Sequence, residues 1–139
     1  MKSITGIWID SKEARLKRIG EGEDELIKVK SNIRSNKFKG GSRSKTPWGP
    51  MLKISESKFE AKKKSEFNEF FKKVLEALPN AHVYEIYGPG MVKVHFTQFI
   101  EKIQNSLAQK IHVVEALDSI TDNQFAAKIR ERAALYQQR

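Results

Sequence analysis

The chain has 139 residues, no cysteine, and 26 Lys plus Arg against 17 Asp plus Glu, for a formal net charge of +9. That length suits one domain (1–139) with an ordinary buried core, while the lack of Cys excludes a disulfide scaffold, a thiol nucleophile and any thiolate zinc site. No apolar run approaches the roughly 20 residues needed to span a bilayer, and the opening MKSITGIWIDSKE lacks the layout of a signal peptide, so a cytoplasmic protein with no membrane partner is expected.

The first elements read as strands. Residues 3–9 (SITGIWI) alternate and are rich in β-branched and aromatic side chains. Asp10-Ser11-Lys12 reads as a turn, 13–19 as a second strand, Gly20 to Asp24 as a second turn, and 25–31 as a third strand. Two short turns between three strands imply an antiparallel meander. Residues 32–55 show neither helical nor strand period, a length at which a loop usually has a function or is disordered.

Next comes a helix. Ser57 and Glu60 have capping-box spacing, and Phe59, Phe67, Phe70, Phe71, Val74, Leu75 and Leu78 form an apolar stripe at helical spacing. Such a stripe reads as core, and Pro79-Asn80 should end it. Residues 82–87 read as a fourth strand, Gly88-Pro89-Gly90 as a tight turn, and Met91 to Ala108 as a second helix with Val92, Phe96, Phe99, Ile103 and Leu107 inward. Residues 111–116 read as a fifth strand. Strand, helix, strand at this length predicts a parallel, right-handed crossover. Thr121 and Gln124 form another capping box, Ile120 and Phe125 a hydrophobic staple, and Phe125, Ile129, Ala133 and Tyr136 the stripe of a third helix. The expected fold is therefore α/β, a mixed five-stranded sheet of a three-strand meander plus a parallel βαβ pair, with three helices. That topology belongs to the ribonuclease-H-like group.

The charge is localised. Residues 31–64 carry ten Lys or Arg and two Asp or Glu, a balance of +8, whereas 1–30 balance at +1 and 65–139 at 0. Within that quarter, Lys37, Lys39, Arg43 and Lys45 flank Gly40-Gly41, and Trp48 follows. Cations neutralise phosphates and release counterions, an aromatic stacks on bases, and paired glycines let a ligand approach the main chain. Phosphate contact of this kind positions a nucleic acid without reading its sequence. Lys62 and Lys63 extend the cationic run into the first helix. The competing reading is a solvated loop that happens to be basic.

Other candidates are weaker. Asp10, Glu115 and Asp118 sit at strand ends where ribonuclease-H-like nucleases hold divalent ions, but the fourth strand offers only Glu85, and Asp10 suits a hairpin turn equally well. Gly88-Pro89-Gly90 lacks the spacing of a dinucleotide or phosphate-loop motif, so no cofactor is expected. His82, His95 and His112 share no ligand spacing, and no metal site is expected.

The order of residues resembles the middle domain of eukaryotic and archaeal class 1 peptide-chain release factors and of the ribosome-rescue factor Pelota. TGIWIDSKEARLKRIGEGEDELIKVKSNI is similar to the opening hairpins of that domain. VYEIYGPGMVKVHFTQFI is similar to its strand, small-residue turn and helix, and KIHVVEALDSITDNQFAAKI to its last strand, acidic loop and closing helix. The segment GGSRS-x-TP-x-GP is similar to small stand-alone bacterial proteins described as translational-machinery-like. The resemblance implies a ribosomal partner, with ribosomal RNA or tRNA bound through the basic Gly-Gly loop. Where release factors carry the Gln of Gly-Gly-Gln, this chain has Ser42, which lacks a carboxamide, so hydrolysis does not carry over and a non-catalytic role is favoured. Two alternatives stay open: an enzyme, whether a metal-dependent nuclease using Asp10 or a residual peptidyl-tRNA hydrolase, and an oligomeric scaffold.

Overall fold

The computed structural model describes residues 2–20, 22–31, 33 and 64–137. Five strands form one sheet in the order β3-β2-β1-β4-β5. β1 (Ile4–Ile9), β2 (Glu13–Gly20) and β3 (Glu23–Lys30) make the expected antiparallel meander, with Ile7 opposite Leu16 and Leu16 opposite Ile27. β4 (Val83–Gly88) joins it by pairing parallel to β1, Ile7 opposite Ile86, and β5 (Ile111–Ala116) pairs parallel to β4. The two central strands are buried along their whole length, as expected for strands covered on both faces.

Alternation along the strands sends side chains to two cores. Ile7, Ile9, Ala14, Leu16, Tyr84 and Ile86 meet one helical layer. That layer comprises α1 (helical over 64–77), α2 (Val92–Ile103) and α3 (Asn105–Ala108), which contribute Phe70, Phe71, Val74, Phe96, Ile100 and Leu107. Ile4, Trp8, Val83 and Tyr87 face the other way, against Phe125, Ile129 and Ala133 of α4 (Asp122–Gln137). α1 ends before Pro79, whose ring cannot continue a helix.

Two expectations change. The second helix is interrupted, so the described residues hold four helices instead of three. Gln104 leaves helical geometry (φ −146, ψ 75), and the chain restarts when Leu107 and Ala108 N–H groups bond to its carbonyl. The helix is also rotated from its expected phase. Ile100 is buried and Ile103 is 60% exposed, because Lys93, Phe96 and Ile100 form the core-facing row.

α4 starts as its residues imply. Thr121 N–H donates to Gln124 Oε1 and Gln124 N–H donates to Thr121 Oγ1, both at 3.1 Å. This reciprocal pair satisfies two N–H groups that a helix start leaves unpaired.

Candidate functional site

The carboxyl ends of β1, β4 and β5 converge on one edge of the sheet. Gly88 makes this possible: a Cβ there would lie 2.1 Å from the Ile9 carbonyl oxygen. Leu117 N–H then donates to the Gly88 carbonyl at 3.1 Å, and the Trp8 indole N–H donates to the Leu117 carbonyl at 3.1 Å. Gly90, at φ +61, closes the turn into α2. In open α/β sheets, ligands bind beyond such strand ends, where connections leave in opposite directions. Here β1 turns towards β2, and β4 leads through α2 to β5.

The basic segment begins and ends at this edge. Ser31 is buried; its N–H donates to the Lys12 carbonyl at 2.9 Å and its hydroxyl to the Ser11 carbonyl at 2.7 Å. Lys73 Nζ donates to the Lys30 carbonyl at 3.2 Å. Ser11 and Lys64 both line a groove of about 1140 Å3 between α1 and α2. Lys12, Lys30, Lys64, Lys72 and Lys73 are exposed, so cations of the body adjoin both limits of the segment. Lys37, Lys39, Gly40, Gly41, Ser42, Arg43, Lys45, Trp48, Lys62 and Lys63 lie outside the described residues, as do Ser57, Glu60 and Phe59.

The carboxylates do not assemble a cation cage. Asp10 Oδ1 accepts N–H bonds from Lys12 at 2.8 Å and Glu13 at 2.9 Å, so it shapes the β1–β2 turn. Glu115 and Asp118 are exposed, and the described residues contain no group of three His, Asp or Glu that could hold a metal ion. Nor do the histidines meet. His82 Nδ1 accepts the Ser3 N–H at 3.0 Å, His95 lines the groove, and the His112 ring stands edge-on to Tyr136 at 5.8 Å.

Glu85 has a different task. It is fully buried in β4 facing α4. Its carboxylate accepts Arg132 in a fork (Nε at 2.9 and 3.1 Å, Nη2 at 2.8 Å), the Tyr87 phenol at 2.6 Å and the Tyr136 phenol at 2.7 Å. Burial pushes this carboxyl up, but Arg132 and the two phenols outweigh it, and the group sits below its ordinary value. The same contacts act in reverse on their donors: burial and then Glu85 hold the Tyr87 phenol well up. A bidentate Arg–carboxylate pair satisfied in this way fastens a helix to a sheet. A Glu inside the apolar run VYEIYG signals that a partner exists, but sequence spacing does not identify Arg132, 47 residues away.

Other charges on this face are paired as well. Buried Lys17 pairs with Asp24, which also accepts Arg130 Nε at 3.0 Å. Arg15 lies 4.9 Å over the Trp8 ring, 3.3 Å from Asp122 and 3.2 Å from Glu13, and donates to the Ile120 carbonyl. These pairs hold α4 to the sheet, and at the groove edge exposed Lys64 and Lys102 adjoin apolar surface. No helix among the described residues is long and apolar enough to cross a membrane.

No protein-family model matches the chain, and no curated protein matches it. Among solved structures it is similar to Pelota from Archaeoglobus fulgidus, with a TM-score of 0.55 and 17% identity over 94% of this chain and 31% of that one. Pelota from Thermoplasma acidophilum is similar at a TM-score of 0.45 and 15% identity, covering 90% of this chain and 31% of that one. An archaeal translation termination factor is similar at 0.43 and 13%, covering 85% and 31%. The chain therefore spans under a third of each of these proteins. The likeness to the Archaeoglobus protein is one of fold, the ribonuclease-H-like mixed sheet with helices on both faces.

Proposed function

We propose that this protein is a non-catalytic, cytoplasmic RNA-binding factor of the translation apparatus that engages ribosomal RNA or tRNA. The observation that carries the reading is the +8 balance confined to residues 31–64, flanked by exposed lysines at the strand-end edge of a Pelota-like fold. Lys37, Lys39, Arg43 and Lys45 contact phosphates, Gly40-Gly41 lets the main chain approach the backbone, and Trp48 stacks on a base. Lys62 and Lys63 continue the cationic track towards Lys64. The chemistry asked of the site is charge neutralisation without bond making, which suits Ser42 at the place where release factors carry a functional Gln.

Fluorescence anisotropy with labelled tRNA and ribosomal RNA fragments, over a series of salt concentrations, tests this. Binding should weaken steeply with salt, and converting Lys37, Lys39, Arg43 and Lys45 to Ala should flatten the log–log slope by about 3. An affinity indifferent to salt, or unchanged in that variant, contradicts the proposal.

A further inference from the structure

The groove between α1 and α2 has a surface that phosphate contact does not require. Among the described residues, four large hydrophobic side chains are exposed, and two of them, Met91 (59%) and Ile103 (60%), lie at the two ends of this groove's α2 wall. Between them Val92, His95, Phe99 and Lys102 line the same groove at spacings of three and four. This row is distinct from the core-facing row of Lys93, Phe96 and Ile100. α1 supplies a matching row of Lys64, Phe67, Asn68 and Phe71. Two neighbouring helices that each present residues at 3–4 spacing form ridges and a trough, the seat into which a third helix packs.

We propose that this trough is a docking site for an amphipathic helix of a partner protein, carrying apolar residues at i, i+3 or i+4, and i+7 and acidic residues near its ends. The length follows from α2, about 18 Å at 1.5 Å per residue, which accommodates roughly three turns of a partner. The charge follows from the rim. Lys64 and Lys102 are exposed there, opposed by Glu101, with His95 between the two ends. The floor argues against a nucleobase as the occupant. Phe71 is 5.7 Å from Phe67 and 5.5 Å from Phe99, with ring planes tilted by 36° and 54°. Phe71 is only 3% exposed and Phe67 and Phe99 pack against its core cluster, so Phe71 has no open face for base stacking. Met91 and Ile103 supply flexible and branched apolar contacts at the two ends, as helix-binding grooves use them. This site borders the cationic track at Lys64 but uses none of residues 37–48, so each reading can fail without the other.

The test uses the full chain and a labelled, designed 14-residue peptide (~14 residues for three turns and flanks) with Leu at i, i+3, i+7 and Glu at both ends. A scrambled peptide of the same composition is the control. The expected result is saturable binding of the designed peptide with protection of 64–71 and 91–103 from hydrogen exchange. Ile103→Glu and Met91→Glu should each weaken it about tenfold or more, whereas Leu135→Glu, on exposed α4 surface, should not. tRNA affinity, measured on Ile103→Glu, should stay unchanged, because Ile103 lies at the far end of α2 from the strand-end edge. The proposal is overturned if the peptide does not bind, if the scrambled peptide binds equally, or if Ile103→Glu leaves binding intact. Displacement of the peptide by single-stranded RNA, which would assign the trough to nucleic acid, also overturns it. So does a marked fall in the thermal stability of Ile103→Glu, which would mean that the trough is covered within the chain.

Discussion

Gly6 and Glu85 are direct partners across the parallel β1–β4 ladder, and together they seat α4. At Gly6 the missing side chain makes room for Ile129, whose Cδ1 and Cγ1 would lie 2.2 and 2.6 Å from a Cβ. At Glu85 the carboxylate receives Arg132 and Tyr136, one and two turns further along the same helix. One position admits the apolar stripe of the helix and its neighbour binds the polar flank. The helix is thereby fixed in rotation as well as in height.

Gly6→Ala should therefore destabilise the fold by about 1–3 kcal/mol, the usual cost of overpacking. Ile129 is fully buried, so it can give way only by disturbing close-packed neighbours. Urea unfolding followed by circular dichroism should show a lower midpoint with an unchanged slope.

Removing the cation beside Glu85 should cost more than removing both charges. Arg132→Met leaves a buried carboxylate with only two phenols and should destabilise by about 3 kcal/mol. The double variant Glu85→Gln with Arg132→Met should recover part of that loss. A double-mutant cycle on unfolding free energies measures the coupling.

Acid sensitivity follows from the same group. The Glu85 carboxyl lies below its ordinary value of 4.5 in the folded protein. Its contribution is present in full above that value and is lost as pH falls through the folded one. Stability should therefore drop below about pH 4.5, and less steeply in Glu85→Gln. Some acid sensitivity remains in that variant, because Asp24, held down chiefly by Lys17, and Asp122, held down chiefly by Lys28, are also lowered. Thermal melts from pH 3 to pH 7 (about this span brackets the ordinary carboxylate range) separate the two contributions.

Asp10 is expected to matter for the turn and not for chemistry. Asp10→Ala removes the acceptor of the Lys12 and Glu13 N–H groups and should cost about 1 kcal/mol. Incubation with RNA in the presence and absence of magnesium should give the same result for the variant and the parent. Magnesium-dependent cleavage lost in Asp10→Ala would reinstate a nuclease reading.

Much of the fold was legible from local chemistry. The meander follows from two short turns between alternating strands, the β4–α2–β5 crossover from strand and helix periods, and the start of α4 from Thr121 and Gln124 alone. Long-range features were less accessible. The parallel pairing of β1 with β4 joins segments more than 70 residues apart, and nothing local encodes it. Ile103 was expected inward because it continues an apolar stripe, but the core selects Ile100, four residues after Phe96, and leaves Ile103 on the groove. Gln104 ends α2 without a Gly or Pro to announce it. Glu85 stood out as a carboxylate in an apolar strand, but its purpose depends on side chains from another element. The groove itself needs two helices side by side, so neither row alone reveals it. The basic residues are legible by count and position, since charge density requires no fold to be read.

In the proposed function the localised cations deliver this protein to the translation machinery. The most direct measurement is co-sedimentation of the purified full chain with ribosomes through a sucrose cushion, at low and at high salt. The parent chain should pellet with ribosomes at low salt and be released at high salt. The variant with Lys37, Lys39, Arg43 and Lys45 changed to Ala should remain in the supernatant under both conditions. A parent chain that never pellets, or a variant that pellets as the parent does, would contradict it.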